Sequence, residues 1–378
     1  MTFSFGNRKQ RDILLQAFFL AVVLAVLVVA VMTTRRNLEI QGLSVGWSFL
    51  NYATGSSIVF SLIDYDLDSS FARALLVGFI NTLFLGTISV SLAVLLGTVI
   101  GTARLSSHKL LSSIAGVYVQ IFRNIPLILQ AFFWYAIFVN FPSPRQAIAM
   151  PAGVFISNRG IYFPMLNIEA WYLLGAIALF IVGTIASVSV ARRTGRGSSL
   201  IGILISLALA CVIGYAGRVV DTPLFDMPQP KGLRFLGGGT MTPELGTAIV
   251  AIALFGASYV AEIVRAGFLS IPAGLIEAAH ALGLGKWHIF WRVRLPLMIR
   301  RILPTMTNQI IWLMKATTIG IAIGFPDYFG VVANSINHSG QTISLIFLLI
   351  LGFWAINMTI SFTMNAINRA LALPGHKK

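Results

Sequence analysis

One long polar loop between two apolar segments holds the residues whose spacing most clearly indicates a task. It contains Glu277-Ala278-Ala279, then Gly283, and then Leu295-Pro296. The segment at Glu277 is expected to be helical, Gly283 stands where that helix would end, and helical spacing resumes from Lys286. Two short helices joined at a glycine form a compact knob. Such a knob can transmit force to or from a soluble partner, which is mechanical coupling rather than bond chemistry.

A second set of polar side chains falls inside apolar segments, where polar groups are costly. Lys315 is the one charge deep inside such a segment, which makes it a candidate contact for a polar solute. Alternatively, it extends to a membrane surface or pairs with Asp327. Each further candidate could equally form an interhelical hydrogen bond of ~0.6 kcal/mol. These further candidates are Thr317, Thr318, Asn81, Thr82 and Gln130.

Two shorter patterns concern helix packing. Gly97 and Gly101 form a G-x-x-x-G pair, which is typical of a close approach between membrane helices. Glu262 and Arg265, three residues apart, are expected to form an ion pair at one end of their helix.

The composition indicates where these groups must be held. Of the 378 residues, 57% are hydrophobic and 10% are charged, and the mean hydropathy is +0.85. Soluble domains carry about 25% charged residues, so this chain has too little polar material to coat a globular surface. Cys211 is the only cysteine, which excludes an intrachain disulfide. The chain is therefore predicted to be a membrane protein.

Apolar runs of the ~20 residues that a membrane-spanning helix needs predict an all-α, polytopic fold with about eight transmembrane helices. The runs are Ile13–Met32, Ala74–Ala103, Ile125–Pro144, Ala170–Ala191, Gly197–Gly217, Leu245–Ala261, Ile302–Pro326 and Thr342–Phe362. The polar segment 334–341 predicts a short surface or re-entrant helix before the last run. The first run is longer than the about 7–15 apolar residues of a signal peptide, which favours a retained anchor.

The charge distribution predicts orientation. The chain has 27 Lys and Arg against 12 Asp and Glu, a net charge of +15, which in a soluble protein would suggest nucleic acid. Most of the basic residues fall in alternate loops that include the N-terminus, the loop 265–301 and the C-terminal tail. Acidic residues favour the opposite loops, namely Asp64, Asp66, Asp68, Asp221, Asp226 and Glu244. This asymmetry predicts that both termini are cytoplasmic and that the chain has no nucleic-acid partner.

Catalytic and metal sites are not indicated. His280, His288 and His338 lie far apart, and no nucleophile–base arrangement is supported. No G-x-x-x-x-G-K-[ST] phosphate-binding loop occurs, so the chain can be driven by ATP but cannot hydrolyse it.

The polar loop is similar to the EAA loop of bacterial ABC importer permeases, since Glu277–Ala279, Gly283 and 293–296 match it over about twenty residues. Segment 122–127 resembles the Arg-Gly-Thr-Pro-Leu segment of polar-amino-acid permeases, with Asn124 in place of Gly. Segment 259–267 resembles that subfamily's lead-in to the EAA loop. Segment 315–318 resembles its Lys-Asp-Thr-Ser, with Ala316 in place of Asp.

The resemblance implies a permease subunit for polar amino acids in a bacterial inner membrane. Glu277 and Gly283 would then belong to the loop that binds a pair of separate ATPase subunits, which hold the ATP and magnesium. A periplasmic amino-acid-binding protein would deliver substrate, and a second permease subunit, favoured as a different chain, would complete the path. The resemblance implies no cofactor in this chain, and membrane lipid around it.

The family's five-span core would occupy 74–141 and 239–368, including the coupling loop 265–296. The extra parts would be an N-terminal anchor and outer segment (1–73), an inserted helical hairpin (142–238) and a cytoplasmic tail (369–378). This layout resembles the general L-amino-acid importers of Gram-negative bacteria. The insert either has a functional role or only packs against the core or the partner subunit.

Two alternatives remain open from the sequence. One is an ABC permease for another small solute, such as an osmolyte or opine. The other is an ATP-independent secondary transporter or channel, in which the long polar loop would have no ATPase to bind.

Overall fold

The computed structural model describes residues 8–40, 46–194, 199–219, 222–232 and 234–370. Asp221 of the charge argument and residues 371–378 of the predicted tail lie outside these ranges. Contacts divide the chain into two compact units. The first comprises Met1–Phe84, Leu303–Ile321 and Pro326–Lys378, and the second comprises Leu85–Ile302 and Ala322–Phe325.

Helices dominate the described residues. In chain order they are α1 (Arg8–Ile40), α2 (Phe71–Ala103), α3 (Lys109–Asn124), α4 (Leu127–Val139), α5 (Ala170–Thr194), α6 (Ser199–Ala216), α7 (Pro243–Leu269), α8 (Ala273–Ala281), α9 (Lys286–Ile289), α10 (Leu295–Ala316), α11 (Gly320–Ile323), α12 (Tyr328–Ser339) and α13 (Thr342–Ala370). A single 3-10 turn, Thr317–Ile319, joins α10 to α11.

Short strands lie between α4 and α7, so the all-α prediction is incomplete. They are β1 (Ile148–Met150), β2 (Val154–Ser157), β3 (Gly160–Phe163), β4 (Met165–Leu166), β5 (Phe225–Asp226), β6 (Gln229–Lys231), β7 (Arg234–Leu236) and β8 (Gly239–Met241). One antiparallel sheet has the order β1-β2-β3-β8, and β4-β5 and β6-β7 form two-stranded pairs. Strands of two to four residues are too short to produce an alternating pattern, which is why the sequence analysis predicted no strand here.

Four helical segments are long and apolar enough to cross a membrane: Arg11–Asn37, Phe71–Ala103, Pro243–Leu269 and Thr342–Arg369. Two bent pairs would raise the number within the described residues to six. They are Lys109–Asn124 with Leu127–Val139, bent by 103°, and Lys286–Ile323 with Tyr328–Ser339, bent by 50°. The hairpin helices α5 and α6 contain shorter apolar stretches, Trp171–Thr184 and Leu200–Ala216.

The third predicted span, Ile125–Pro144, is wrong as a single straight helix. Its helical part is α4, which has 13 residues and turns sharply away from α3. Pro126 explains the break, because a proline has no backbone N–H and disfavours helical geometry in the residue before it. Ile125 accordingly has extended backbone angles (φ −91°, ψ 126°).

The first unit has a buried core around the start of α2. Its buried members are Phe49, Phe71, Ala74, Leu75, Tyr328, Val331, Val332 and Leu345. The α2 and α12 helices approach closely here, since a Cβ added at Gly78 would lie 2.9 Å from the Val331 Cβ.

The second unit is built around α7, whose side chains are mostly buried against α3, α4 and the later part of α2. The close approach predicted from Gly97 and Gly101 is confirmed. A Cβ at Gly97 would lie 2.5 Å from the Val260 Cβ, and one at Gly101 would lie 2.6 Å from the Ala261 carbonyl oxygen. The hairpin helices α5 and α6 pack on each other in the same unit.

Candidate functional site

The coupling candidates lie on α8, directly after the buried helix α7. Glu277 and Ala278 are exposed, whereas Ala279 is buried. The short helix therefore packs through one small residue and presents a carboxylate to the solvent side. A side chain in this position can be contacted by another protein without disturbing the packing beneath it.

Gly283 ends α8 as predicted, and its backbone explains why glycine is needed there. Its φ is +77°, in the left-handed region. The Gly283 N–H donates to the His280 carbonyl at 2.9 Å, and the Leu284 N–H donates to the Ala279 carbonyl at 3.2 Å. This pair of bonds is a Schellman motif, which satisfies the last carbonyls of a helix and favours glycine at this position.

The second half of the predicted knob differs from expectation. Rather than a separate short helix, α9 runs through one π turn, Phe290–Arg294, directly into α10. In a regular α-helix the Pro296 ring would clash with the carbonyl of Arg292, and the wider π turn gives it room. Leu295 and Pro296 are half-buried at the start of α10.

Aromatic and cationic contacts fix this region to the end of α7. Phe290 stacks on Phe268 with ring centroids 5.9 Å apart, and the Arg294 guanidinium lies 5.6 Å from the Phe268 ring centroid. Arg301 donates a hydrogen bond to the Ser270 carbonyl. These contacts join the π turn and the start of α10 to the end of α7.

An ion cluster lies near the same end of α7, centred on Glu262. The predicted pair with Arg265 is confirmed, with Nε and Oε2 3.2 Å apart. Glu262 also accepts a hydrogen bond from Arg104, and its Oε1 lies 3.6 Å from an Arg123 nitrogen. Arg123 additionally covers the Tyr259 ring at 5.1 Å. The sequence analysis did not identify Arg104 and Arg123 as partners of Glu262. Arg104 directly follows α2, and Arg123 lies in the last turn of α3.

Two solute-path candidates of the first unit, Asn81 and Thr82, are fully buried beside the start of α12. The Asn81 Nδ2 donates to the carbonyls of Phe60 and Pro326 at 2.8 and 2.9 Å. The Thr82 hydroxyl accepts from the Tyr328 N–H at 2.8 Å. Both residues therefore hydrogen-bond to the backbone at the start of α12, and the Asn81 Oδ1 has no hydrogen-bond partner among the described residues.

Lys315 is exposed near the end of α10. The alternative pairing with Asp327 is wrong within the described residues, because buried Asp327 instead caps α12 by accepting from the Phe329 and Gly330 N–H groups. Thr317 and Thr318 follow on the next turn. Their hydroxyls donate to the carbonyls of Met314 and Lys315 at 2.8 and 2.9 Å.

Gln130 belongs to the second unit and is buried in α4. Its Nε2 donates to the carbonyls of Phe122 and Ile125, both at 2.9 Å, so it bridges the bend between α3 and α4. Its Oε1 is buried without a hydrogen-bond partner among the residues described. Gln130 therefore combines a structural role with one spare acceptor.

Comparison with known proteins finds similarity to transport permeases. The family described as "Binding-protein-dependent transport system inner membrane component" matches residues 198–373. The chain is 33% identical to the putative amino-acid ABC transporter permease protein YhdX of Escherichia coli K12, covering 98% of this chain and 96% of that protein. It is also 33% identical to the general L-amino acid transport system permease protein AapQ of Rhizobium johnstonii, over 97% and 93% of the two chains.

More limited similarities were also found. The octopine transport system permease protein OccM of Rhizobium radiobacter is 41% identical over 26% of this chain and 40% of its own length. A crystal structure of an amino acid ABC transporter with histidines has a TM-score of 0.47 at 18% identity, covering 79% of this chain and 95% of that one.

Proposed function

The chain belongs to the family of amino-acid ABC transporter permeases, and from this we propose that it is the permease subunit of an importer for general L-amino acids. A periplasmic binding protein delivers the substrate, and separate ATPase subunits bind ATP and magnesium. A second, similar permease chain completes the path. The complex lies in a bacterial inner membrane.

The observation that carries this proposal is the exposed Glu277 on the short helix α8, which follows α7 in the chain and packs against α9 and the π turn. Gly283 fixes the end of α8, and Phe268 contacts both Phe290 and Arg294. A packed helix with an exposed carboxylate is suited to bind a soluble ATPase subunit and to move when that subunit moves. A channel or secondary transporter has no need of such a handle, which disfavours that alternative.

The length of α7 supports the topology. Its 27 residues extend about 40 Å at 1.5 Å per residue, more than the ~30 Å hydrocarbon core of a bilayer. The sheet before α7 and the helix α8 after it therefore lie on opposite sides. We assign the basic side that carries α8 to the cytoplasm. If α5 and α6 also cross and each bent pair counts once, eight spans leave both termini cytoplasmic.

In the proposed mechanism, ATP closes the two ATPase subunits, and their movement acts on α8. The push passes along α7, which the Glu262 cluster ties to the end of α2 through Arg104 and to the end of α3 through Arg123. These helices move with α7 because the three ends share one carboxylate. The permease pair thereby alternates between outward- and inward-facing states.

Polar groups in the spans suit an amino-acid zwitterion. The Lys315 ammonium can attract the substrate carboxylate, and Thr317 and Thr318 lie beside it along the chain. The spare amide oxygens of Asn81 and Gln130 can each accept from a substrate ammonium, and Thr82 holds the backbone next to Asn81. Each of these residues is a separate candidate contact.

The substrate class follows from the extent of the similarities. The amino-acid permeases match nearly the whole chain, including the insert, whereas the octopine permease matches about a quarter of it. General L-amino acids are therefore favoured over an opine or an osmolyte. Uptake of labelled amino acids, octopine and glycine betaine in a strain lacking the transporter distinguishes these alternatives.

The coupling assignment is tested by Glu277→Arg, which reverses the charge of the exposed carboxylate. Asp68→Arg is the matched control, because Asp68 is also exposed but lies on the opposite side in the proposed topology. We expect Glu277→Arg to insert into the membrane normally and to weaken co-purification of the ATPase subunits by about tenfold, with loss of uptake. The control should retain both. Normal ATPase association and uptake by Glu277→Arg would contradict the proposal.

A further inference from the structure

The short strands before α7 form a small group that is here called the β-layer: β1, β2, β3, β8 and the hairpin β6-β7. Its strand β8 leads directly into α7 through Thr242, whose hydroxyl accepts from the Leu245 N–H at 3.3 Å. A Cβ at Gly160 would lie 2.5 Å from the Met241 carbonyl oxygen, so β3 and the end of β8 are in tight contact. The β-layer is thus attached to the helix that ends at the coupling site.

The hairpin β6-β7 has a fixed position on this sheet. Phe235 of β7 stacks on Tyr162 with centroids 4.2 Å apart and lies 5.0 Å from Phe155. Its nearest acidic neighbour along the chain, Asp226, turns inward, with Oδ2 accepting from the Gly238 N–H at 2.8 Å. The aromatic stack holds the hairpin, and the carboxylate is not available to neutralise its tip.

The tip of the hairpin carries an unfavourable charge arrangement. Lys231 and Arg234 are directly opposite each other in the strand register, and both are exposed. Like charges at opposite cross-strand positions repel and destabilise a sheet. Neither residue has an ion-pair partner in the part of the chain that the structure describes. Exposed Arg145 adds a third cation, on a short turn that packs against β7.

Exposed apolar side chains lie on or next to the strands of the β-layer. They include Met150, Met227 and Leu236. Placing these cations in hydrocarbon would be costly, so we place the tip of the hairpin outside the hydrocarbon core. A rigid surface that combines apolar side chains with uncompensated basic charge fits a soluble protein partner with carboxylates on its face.

We infer that the β6-β7 tip, with Lys231, Arg234 and Arg145, is the docking site of the amino-acid-binding protein, which meets it with an acidic surface. This inference depends on the proposed function, because the assignment of α8 to the ATPase side puts the β-layer on the side where substrate arrives. A protein docked there would act on the first turn of α7, because β8 leads directly into that helix. The same helix carries the ATPase signal at its other end.

The test uses the complete transporter, with ATPases and partner permease, in nanodiscs of neutral phosphatidylcholine. The probe is the binding protein that stimulates ATP hydrolysis by the wild-type complex, loaded with a transported L-amino acid. For Lys231→Glu/Arg234→Glu we expect the association rate constant to fall about tenfold at low salt, and the difference to shrink in about 0.5 M salt. Basal ATP hydrolysis without the binding protein should not change.

Two variants exclude a merely structural effect. Arg35→Glu/Arg36→Glu makes the same charge change on exposed residues of α1 and should leave association unchanged within twofold. Lys231→Gln/Arg234→Gln removes the cross-strand repulsion, so the hairpin should be at least as stable, yet docking should still weaken severalfold. Weaker docking by a more stable hairpin is the result that a role in packing alone does not produce.

Equal association rates for wild type and both tip variants would overturn the inference while leaving the importer assignment intact. An effect of the tip variants that appears only in phosphatidylglycerol nanodiscs would identify anionic lipid as the partner and also overturn it. A wild-type complex whose ATP hydrolysis responds to no binding protein would refute the proposed function, and this inference with it.

Discussion

The Glu262 carboxylate of α7 accepts a hydrogen bond from Arg104, the residue that follows the last turn of α2, across 158 positions of sequence. Arg265 and Arg123 approach the same carboxylate. One acid therefore joins three helix ends, and it does so within two turns of the end of α7. Because α8 follows α7 in the chain, the cluster lies close to the proposed coupling site.

Removal of the Glu262 charge should weaken this junction. Glu262→Gln keeps the side-chain shape but leaves three guanidinium groups facing one another without a carboxylate. We expect the free energy of unfolding of the detergent-purified complex to fall by about 1–2 kcal/mol, as for loss of charge-assisted hydrogen bonds at a half-buried site. We also expect less amino acid transported per ATP hydrolysed, measured in proteoliposomes.

Glu244→Gln is the control for this prediction, since Glu244 lies in the first turn of the same helix, where its Oε1 is 3.4 Å from the Tyr135 hydroxyl. It should change stability by less than about 0.5 kcal/mol. If both variants keep wild-type stability and coupling, the cluster does not link the helix ends.

Sequence reasoning succeeded where the determining contacts are local. The Glu262–Arg265 pair follows from a spacing of three on a helix, and the end of α8 follows from Gly283 alone. The Gly97 and Gly101 contact was also predictable, because two small residues four apart form one smooth face. In each case the sequence separation is within a single turn or two.

Three other features could not be predicted from the sequence. They depend on which residues far apart in sequence come into contact, or on the direction in which a helix leaves the one before it. Nothing near Arg104 indicates that its partner is Glu262. A hydropathy average counts apolar residues but does not record the direction of the helix axis. Ile125–Pro144 was therefore predicted as one span, although its helical part, α4, is separated from α3 by a sharp bend at Pro126. The β-layer depends on pairings such as Ile161 with Met241, which join a strand of the insert to the strand that directly follows the insert.

Substitution of Gly283 by alanine tests whether the orientation of α8 matters for coupling. A Cβ there would meet no atom within 4 Å, so Gly283→Ala is penalised only by its left-handed φ of +77°, at about 1–2 kcal/mol. We expect α8 to relax from its present orientation and ATP-driven uptake to fall more than tenfold, while the chain still inserts. Gly283→Asn should be milder, because asparagine tolerates this conformation.

Gly274→Ala provides the opposite expectation within the same helix. Gly274 has ordinary helical geometry and open space around it, so alanine should be neutral or should stabilise α8 by up to about 1 kcal/mol. Uptake by this variant should match wild type. Equal uptake by Gly283→Ala and Gly274→Ala would show that the orientation of α8 does not control coupling.

Lys315 offers the most direct test of the solute path. An ammonium on a membrane helix is costly and is therefore a candidate for a function, and the Asp327 carboxylate is occupied in capping α12. Lys315→Met keeps the length and apolar stem of the side chain and removes only the charge. If the ammonium attracts the substrate carboxylate, the maximal uptake rate should fall at least tenfold with ATPase association intact, whereas Lys315→Arg should retain most of it. Labelled amino-acid uptake in proteoliposomes measures the transport rates of the two variants.

If Lys315→Met transports with the wild-type rate and the wild-type half-saturating concentration, then Lys315 only extends to the membrane surface. The solute path must then be sought at the spare amide oxygens of Asn81 and Gln130.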